Sequence, residues 1–217
     1  MHRTMHLCAT PLPTIRAATR RSVTTAALGL MMMMMMTLLL AGLAQPALAA
    51  PNTTYSKDGV SFEHPAGWKV TEDSVAQDET RLRSIDLEGP DEAVVTFMFS
   101  PFLKDQNIEA FAANTAKNRA ESAKNASAVA QQLRFGPVAS APLTRKVAGQ
   151  ESKGVSQRFE ISLQGLKLPH EARFFKANLG ETTAIIMTQV ADESAKAVEP
   201  GFALAIDTLR YRGIGKR

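Results

Sequence analysis

The chain has 217 residues, with 25 lysines and arginines against 21 aspartates and glutamates, and one cysteine. The first 50 residues hold four of the arginines and no acid, so the other 167 carry 21 basic and 21 acidic groups. That neutrality excludes the electrostatic footprint of a nucleic-acid or anionic-membrane binder, and the position of Cys8 excludes a disulfide or a cysteine nucleophile beyond residue 50.

Met1–Ser22 carries Arg3, Arg16, Arg20 and Arg21. Val23–Ala44 is an uncharged apolar run that includes Met31–Met36, and it leads to Ala47-Leu48-Ala49-Ala50-Pro51, a small-x-small site. Together these predict a cleaved export signal over 1–50, with Ala47, Ala49 and Ala50 as the cleavage region. A periplasmic or secreted bacterial location follows. The apolar run is also long enough to span a bilayer, so an uncleaved inner-membrane tether is the alternative. Leu40-Ala41-Gly42 is followed by Leu43 rather than cysteine, which rules out lipidation there. Thr19-Arg20-Arg21-Ser22-Val23 resembles a twin-arginine motif, although two ordinary signal-peptide charges are the simpler reading.

The remaining 51–217 predicts a single α+β domain, folded over about 55–211. Pro51–Lys57 reads as a polar lead-in and Asp58-Gly59 as a turn. Val60–Glu63 alternates as a half-buried strand does, His64-Pro65-Ala66-Gly67 breaks it, and Trp68-Lys69-Val70 alternates again. Thr71–Thr80 reads as loop. Arg81–Glu88 and Ala93–Phe99 read as paired strands across the Gly89–Glu92 turn. Asn107 to about Ala128 reads as a helix capped by Asn107. Its buried stripe is mostly alanine, so Ile108 and Phe111 are expected to contribute most of its docking energy. Leu133–Phe135 and the proline-containing 136–142 connect to strands at Thr144–Ala148, Gly154–Leu163, Glu171–Ala177 and Thr182–Val190. The last of these is apolar on both faces, as a central strand is. A closing helix is expected to begin at Pro200, with Phe202, Ala205, Ile206 and Leu209 inward. Tyr211–Arg217 is a basic tail. The order predicts a mostly antiparallel sheet with helices packed on it.

Tyr55, Asp58-Gly59, Val60-Ser61-Phe62 and His64-Pro65-Ala66-Gly67-Trp68-Lys69-Val70 open the domain, and Phe202 with Ile206-Asp207-Thr208-Leu209 closes it. That pattern resembles the PsbP-like superfamily, which includes bacterial DcrB-like exported proteins. The resemblance implies an α/β/α sandwich and a mainly non-enzymatic accessory or binding role. Photosynthetic members bind a membrane complex, but no residue here carries such a partner site over.

Two histidines lie beyond residue 50. His64, with Pro65 and Trp68, reads either as a small aromatic-lined site or as a turn histidine beside a core tryptophan. His170-Glu171 begins like a zinc helix motif, but Ala172-Arg173-Phe174 supplies no second histidine. Gly154-Val155-Ser156-Gln157-Arg158 lacks the second glycine of a nucleophile elbow. The acid pairs Glu72-Asp73, Asp78-Glu79 and Asp91-Glu92 all fall in expected loops. Phe97, Phe99 and Phe102 read as core, or as a partner surface if exposed. Asn52-Thr53-Thr54 and Asn125-Ala126-Ser127 match glycan acceptors.

No catalytic residue, metal ligand or cofactor is assigned, and the binding residues are not legible. The expectation is an exported, non-catalytic accessory or binding protein whose partner is another envelope protein, with no nucleic acid and no stable membrane insertion after cleavage. A small hydrolase using His64 or His170 is the alternative.

Overall fold

In the computed structural model the described residues are 51–125 and 132–212. Ala47, Ala49 and Ala50, the distal part of the first helix and residues 213–217 lie outside them. The strands are β1 (Thr53–Lys57), β2 (Val60–His64), β3 (Lys69–Val75), β4 (Arg83–Glu88) and β5 (Val94–Ser100). Helix α1 (Ile108–Asn125) follows, then β6 (Arg134–Phe135), β7 (Ala139–Val147), β8 (Gln150–Leu163), β9 (Leu166–Asn178) and β10 (Thr183–Ala191). Helix α2 (Ala195–Asp207) and β11 (Arg210–Tyr211) complete the order.

Two antiparallel sheets form. The larger runs β3-β4-β5-β10-β9-β8-β6, with β7 also paired to β8, and the smaller runs β1-β2-β11. β10 pairs with β5 on one side and β9 on the other, the central place that its apolar run predicts. One face of the large sheet carries α2 and the small sheet over a core that includes Phe62, Phe97, Phe175, Ile186, Phe202 and Leu209. The opposite face carries α1 over Val155, Phe159, Phe174 and Ile185. This is the expected α+β class, with a three-stranded sheet added beside the second helix.

Several elements run longer than their side chains announce. β1 occupies the expected polar lead-in because β2 supplies its hydrogen-bond partners residue for residue. β3 continues to Val75 through the expected loop, since the β4 backbone pairs with it and its polar side chains stay wet. β7 runs straight through Pro142, which is tolerated because β7 is paired only to β8 and lies at an edge. Its turn into β8, Ala148-Gly149, has both φ values positive, at 49° and 83°. Gln164-Gly165 joins β8 to β9 in the same way, with φ of 50° and 86°. Such two-residue turns match the twist of the flanking strands. Tyr211 of the expected tail is a strand residue paired with Val60.

Helix α2 also starts earlier than expected, and Pro200 lies inside it. The proline cannot donate to the Lys196 carbonyl, but both residues are exposed, so water satisfies that group. Helix α1 begins as expected, with Asn107 Oδ1 accepting from the Ala110 N–H at 2.7 Å. Ile108 and Ala112 are buried, and Phe111 meets Phe174 edge-on at 6.4 Å.

Trp68 ties α2 to the sheet. Its ring meets Phe202 edge-on at 5.6 Å and is enclosed by Gly89, in the β4–β5 turn, and Gly201, in α2. A Cβ built on Gly89 would lie 2.6 Å from Trp68 Cε2, and one on Gly201 would collide with the same ring. Only glycine fits either place.

A second tie joins the small sheet to the large one. The Asp73 carboxylate accepts from Tyr55 Oη at 2.7 Å, Lys57 Nζ at 2.6 Å and Arg83 Nε at 2.8 Å. Burial pushes this carboxyl up, but the hydrogen bonds outweigh it and hold Asp73 well below the ordinary carboxylate range. Burial and the bond to Asp73 push the Tyr55 hydroxyl up to about 12.

Gly201→Ala is expected to lower stability by about 1–3 kcal/mol, the usual cost of overpacking, in denaturant titrations read by the single tryptophan. The Asp73 contribution should be complete above the unfolded value of 3.8 and be lost as pH falls below it, so Asp73→Asn should flatten the acid side of the stability profile. On the alkaline side the sign reverses. The Tyr55 contribution is complete below pH 10.0 and lost as pH rises toward 12, and the phenolate titration step near pH 12 should be missing from Tyr55→Phe, which keeps the absorbance of Tyr211.

Candidate functional site

The residues singled out from sequence are scattered by the fold. His64 is buried at the end of β2, with Nδ1 3.1 Å from the Pro65 carbonyl and its ring beside Phe62. His170 is half-buried on the other face of the large sheet, stacked on Phe159 with Nδ1 2.9 Å from the Leu168 carbonyl. Among the described residues neither ring hydrogen-bonds to a hydroxyl or a carboxylate, and no group of three or more His, Cys, Asp or Glu is placed to hold a metal ion. Ser156 donates weakly to the Ala141 carbonyl at 3.4 Å. Phe97 and Phe99 are core, whereas Phe102 is 66% exposed, because Pro101 begins a short 3-10 turn that ends the strand alternation.

The acid pairs separate as well. Glu72-Asp73 lies in β3 rather than in a loop, and Asp73 serves the tie between the sheets. Asp78 accepts from the Thr80 N–H in an exposed turn. Asp91-Glu92 is exposed in a 3-10 turn.

The fold assembles a charged groove that the sequence does not announce. It lies between α2 and the face of β7, β8 and β9 that α2 packs against. Strand register brings Ser156 opposite Arg173, Arg158 opposite Glu171, and Gly154 between Leu143 and Phe175. Glu199 and Asp207, two turns apart on α2, reach down to these strands. The groove holds a cavity of roughly 330 Å³ lined by Leu143, Thr144, Arg145, Ser156, Glu171, Arg173, Phe175 and Glu199. A second hollow shares Arg173 and Glu199 and extends past Ala195, Lys196 and Pro200.

Three guanidinium groups face three carboxylates there. Arg173 makes three hydrogen bonds: Nε and Nη2 donate to Glu171 Oε2 at 2.9 and 2.7 Å, and Nη1 donates to Glu199 Oε2 at 2.7 Å. Burial opposes its charge, but these bonds outweigh burial and hold its pKa above the ordinary arginine value. Arg158 stands 3.8 Å from Glu171. Arg145 differs. Its side chain is only 17% exposed, yet its nearest acids, Glu199 and Asp207, stand 3.6 Å away. Among the described residues it makes no hydrogen bond, and its guanidinium lies 5.9 Å from the Phe175 ring. Arg173 is therefore tied by three hydrogen bonds, and Arg145 by two looser ion pairs, one on each terminal nitrogen.

Comparison with known proteins bears on the fold. No protein-family model matches the chain. No curated protein matches it either. Similar solved structures include cyanobacterial PsbP from Synechocystis sp. PCC 6803, 12% identical over 78% of this chain and 97% of that one, with a TM-score of 0.45. A protein of Bacteroides thetaiotaomicron VPI-5482 is 14% identical over 77% of this chain and 51% of its own, with a TM-score of 0.44. LpqN of Mycobacterium tuberculosis, described as involved in cell envelope biogenesis, is 9% identical over 74% of this chain and 90% of its own, with a TM-score of 0.37. At these identities the likeness concerns chain path alone, and no site residue transfers.

Nothing in the sequence pattern singles out Arg145, Arg173 or Glu199, which look like ordinary solvated charges. The only available signal is the alternation that puts Arg173 on the same strand face as buried Phe175.

Glu199→Gln should change stability by less than about 1 kcal/mol, because its side chain is 42% exposed. Glu171→Gln should cost more, about 1–3 kcal/mol, because its carboxylate is 11% exposed and holds Arg173 through two hydrogen bonds. Denaturant midpoints of the two variants check the ranking.

Proposed function

We propose that the chain is an exported, non-catalytic accessory module of the bacterial cell envelope, of the DcrB-like kind, and that the groove between α2 and β7–β9 is where it holds another envelope protein. The observation that carries this reading is the groove itself, a polar hollow walled by paired charges and floored by Phe175 and Leu143. Such a surface can grip a peptide segment through charge complementarity without performing chemistry. The two histidines support it from the other side, since each turns Nδ1 to a backbone carbonyl rather than to a nucleophile. The leader composition supports export, with residues 1–50 removed and one domain, 51–217, released. Among the described residues no helix is long and apolar enough to cross a membrane.

The test begins with the precursor expressed in a Gram-negative host, followed by fractionation and intact mass. A periplasmic species beginning at Ala50 or Pro51 is expected, and a full-length membrane-bound species would overturn the export reading. A photo-crosslinking residue at Ser156 should then capture one reproducible envelope protein, while the same residue at Phe102 should not. Equal capture at both places, or none, would remove the groove from the proposal. Replacing both histidines with alanine should leave the capture unchanged.

A further inference from the structure

The ends of β8 and β9 part from each other, and the gap between them is a hollow that shares no lining residue with the groove. The β8–β9 ladder stops at the Gly154–Phe175 pair. Beyond it, β8 stays with β7 as far as the Gln150–Val147 pair, and β9 stays with β10 as far as Asn178–Thr183. Ser152 bridges the opening, its hydroxyl donating to the Lys176 carbonyl at 2.8 Å. The cavity there is roughly 260 Å³, and Lys104 reaches it from the short turn after β5. That volume lies below the range of about 300–1,000 Å³ usual for drug-sized ligands, so the occupant is small.

The lining is rich in donors. Lys176 Nζ donates to the Lys104 and Gln106 carbonyls at 3.0 and 2.9 Å, which pins the ammonium and leaves one of its three protons over. Asn178 spends Oδ1 on the Gly180 N–H at 3.1 Å, which leaves its amide protons. Thr183 is 7% exposed, and among the described residues its hydroxyl makes no hydrogen bond. A buried hydroxyl without a partner is unfavourable, and the cavity that Thr183 lines is where this one can be satisfied. The lining holds one acid, Glu151, which is exposed. Two ammonium groups against one carboxylate leave the cavity net positive, and among the described residues neither lysine forms an ion pair.

The donors also fix the shape of the ligand. They come from the turn after β5, the end of β9 and the start of β10, not from one planar fork. A tetrahedral oxyanion offers acceptors in several directions at once, whereas a carboxylate offers its two oxygens in one plane. Lysine meets phosphate as a point charge, which suits such an arrangement.

We propose that the split between β8 and β9 is an oxyanion site in which Lys104, Lys176, Asn178 and Thr183 hold a phosphate group, either the free ion or the head of a phosphate monoester. The site is separate from the groove and does not depend on its being an interface.

The experiment is an amide NMR titration of the protein as the host releases it, at constant ionic strength, with inorganic phosphate, glycerol 1-phosphate and acetate as probes. Phosphate should bind about tenfold more tightly than acetate and should move the amide signals of Ser152, Asn178 and Thr183. Lys104→Gln should weaken phosphate binding about tenfold while the tryptophan-monitored stability stays near that of the parent. Thr183→Val should weaken it several-fold and leave stability equal or higher, since the hydroxyl it removes has no protein partner; a purely structural threonine would not divide the two readouts in this way. Lys176 stays in place, because it also holds two backbone carbonyls. Glu151→Gln, which takes the negative charge from the lining, should tighten phosphate binding several-fold, so that a gain as well as a loss is on trial. Glycerol 1-phosphate binding as tightly as phosphate assigns a monoester, and its failure where phosphate binds assigns the free ion. Equal binding of phosphate and acetate, or phosphate binding unchanged in both Lys104→Gln and Thr183→Val, overturns the inference. Neither result touches the accessory-module reading, which stands or falls on crosslinking at Ser156.

Discussion

The position of helix α2 depends on one aromatic ring. Trp68 fills the space between the β4–β5 turn and the helix, and it can do so only because residues 89 and 201 are both glycines. The ring replaces two side chains with one rigid plate, so the separation of helix and sheet is set by the thickness of an indole. Close-packed interiors transmit such a spacing rather than absorb it. Phe202, Ala205, Ile206 and Leu209 then bury the remaining face of the helix and its exit. The charges on the outer flank of α2 are placed by this arrangement, and the width of the groove is one of its consequences.

The other packing layer follows different physics. Helix α1 brings mostly alanine to the sheet, so its attachment rests on Ile108, Phe111 and the Leu103 turn. It also carries Arg119, whose guanidinium lies 4.3 Å over the Phe159 ring. Burial alone lowers the pKa of this arginine, and among the described residues no carboxylate pairs with it. On the opposite face the polar ties are balanced: Asp73 has three donors, and Arg173 has two carboxylates. The face that bears the groove is therefore the one whose charges are paired with one another, Arg145 included.

Glu199 bridges the two arginines with separate oxygens, Oε2 at 2.7 Å from Arg173 and Oε1 at 3.6 Å from Arg145, and Glu171 orients Arg173 through two further bonds. Arg145 comes from the edge strand and meets the helix from farther away. The groove is thus walled by a tightly bonded triad on one side and by looser ion pairs on the other.

Much of the architecture was legible along the chain. Alternation exposed β2 and β4, a β-rich run marked β5, the apolar run of β10 indicated its central place, and Asn107 marked the start of α1. The lengths of β1, β3 and β7 were not legible, because partner backbones supply their hydrogen bonds and their own side chains remain polar. The early start of α2 was hidden by Pro200, whose missing donor costs little where water reaches the carbonyl it leaves free. The Ala148-Gly149 and Gln164-Gly165 turns were hidden because neither begins with the Asn or Asp that usually signals them.

By itself the sequence determined the α+β class, the two helices and most of the strands, and the neutral charge beyond residue 50, because hydrophobic period and turn chemistry are local properties. The tertiary structure alone decided the groove. Arg145, Arg173 and Glu199 come from β7, β9 and α2, and which carboxylate pairs with which guanidinium depends on strand register and on where the helix sits, which no local pattern encodes.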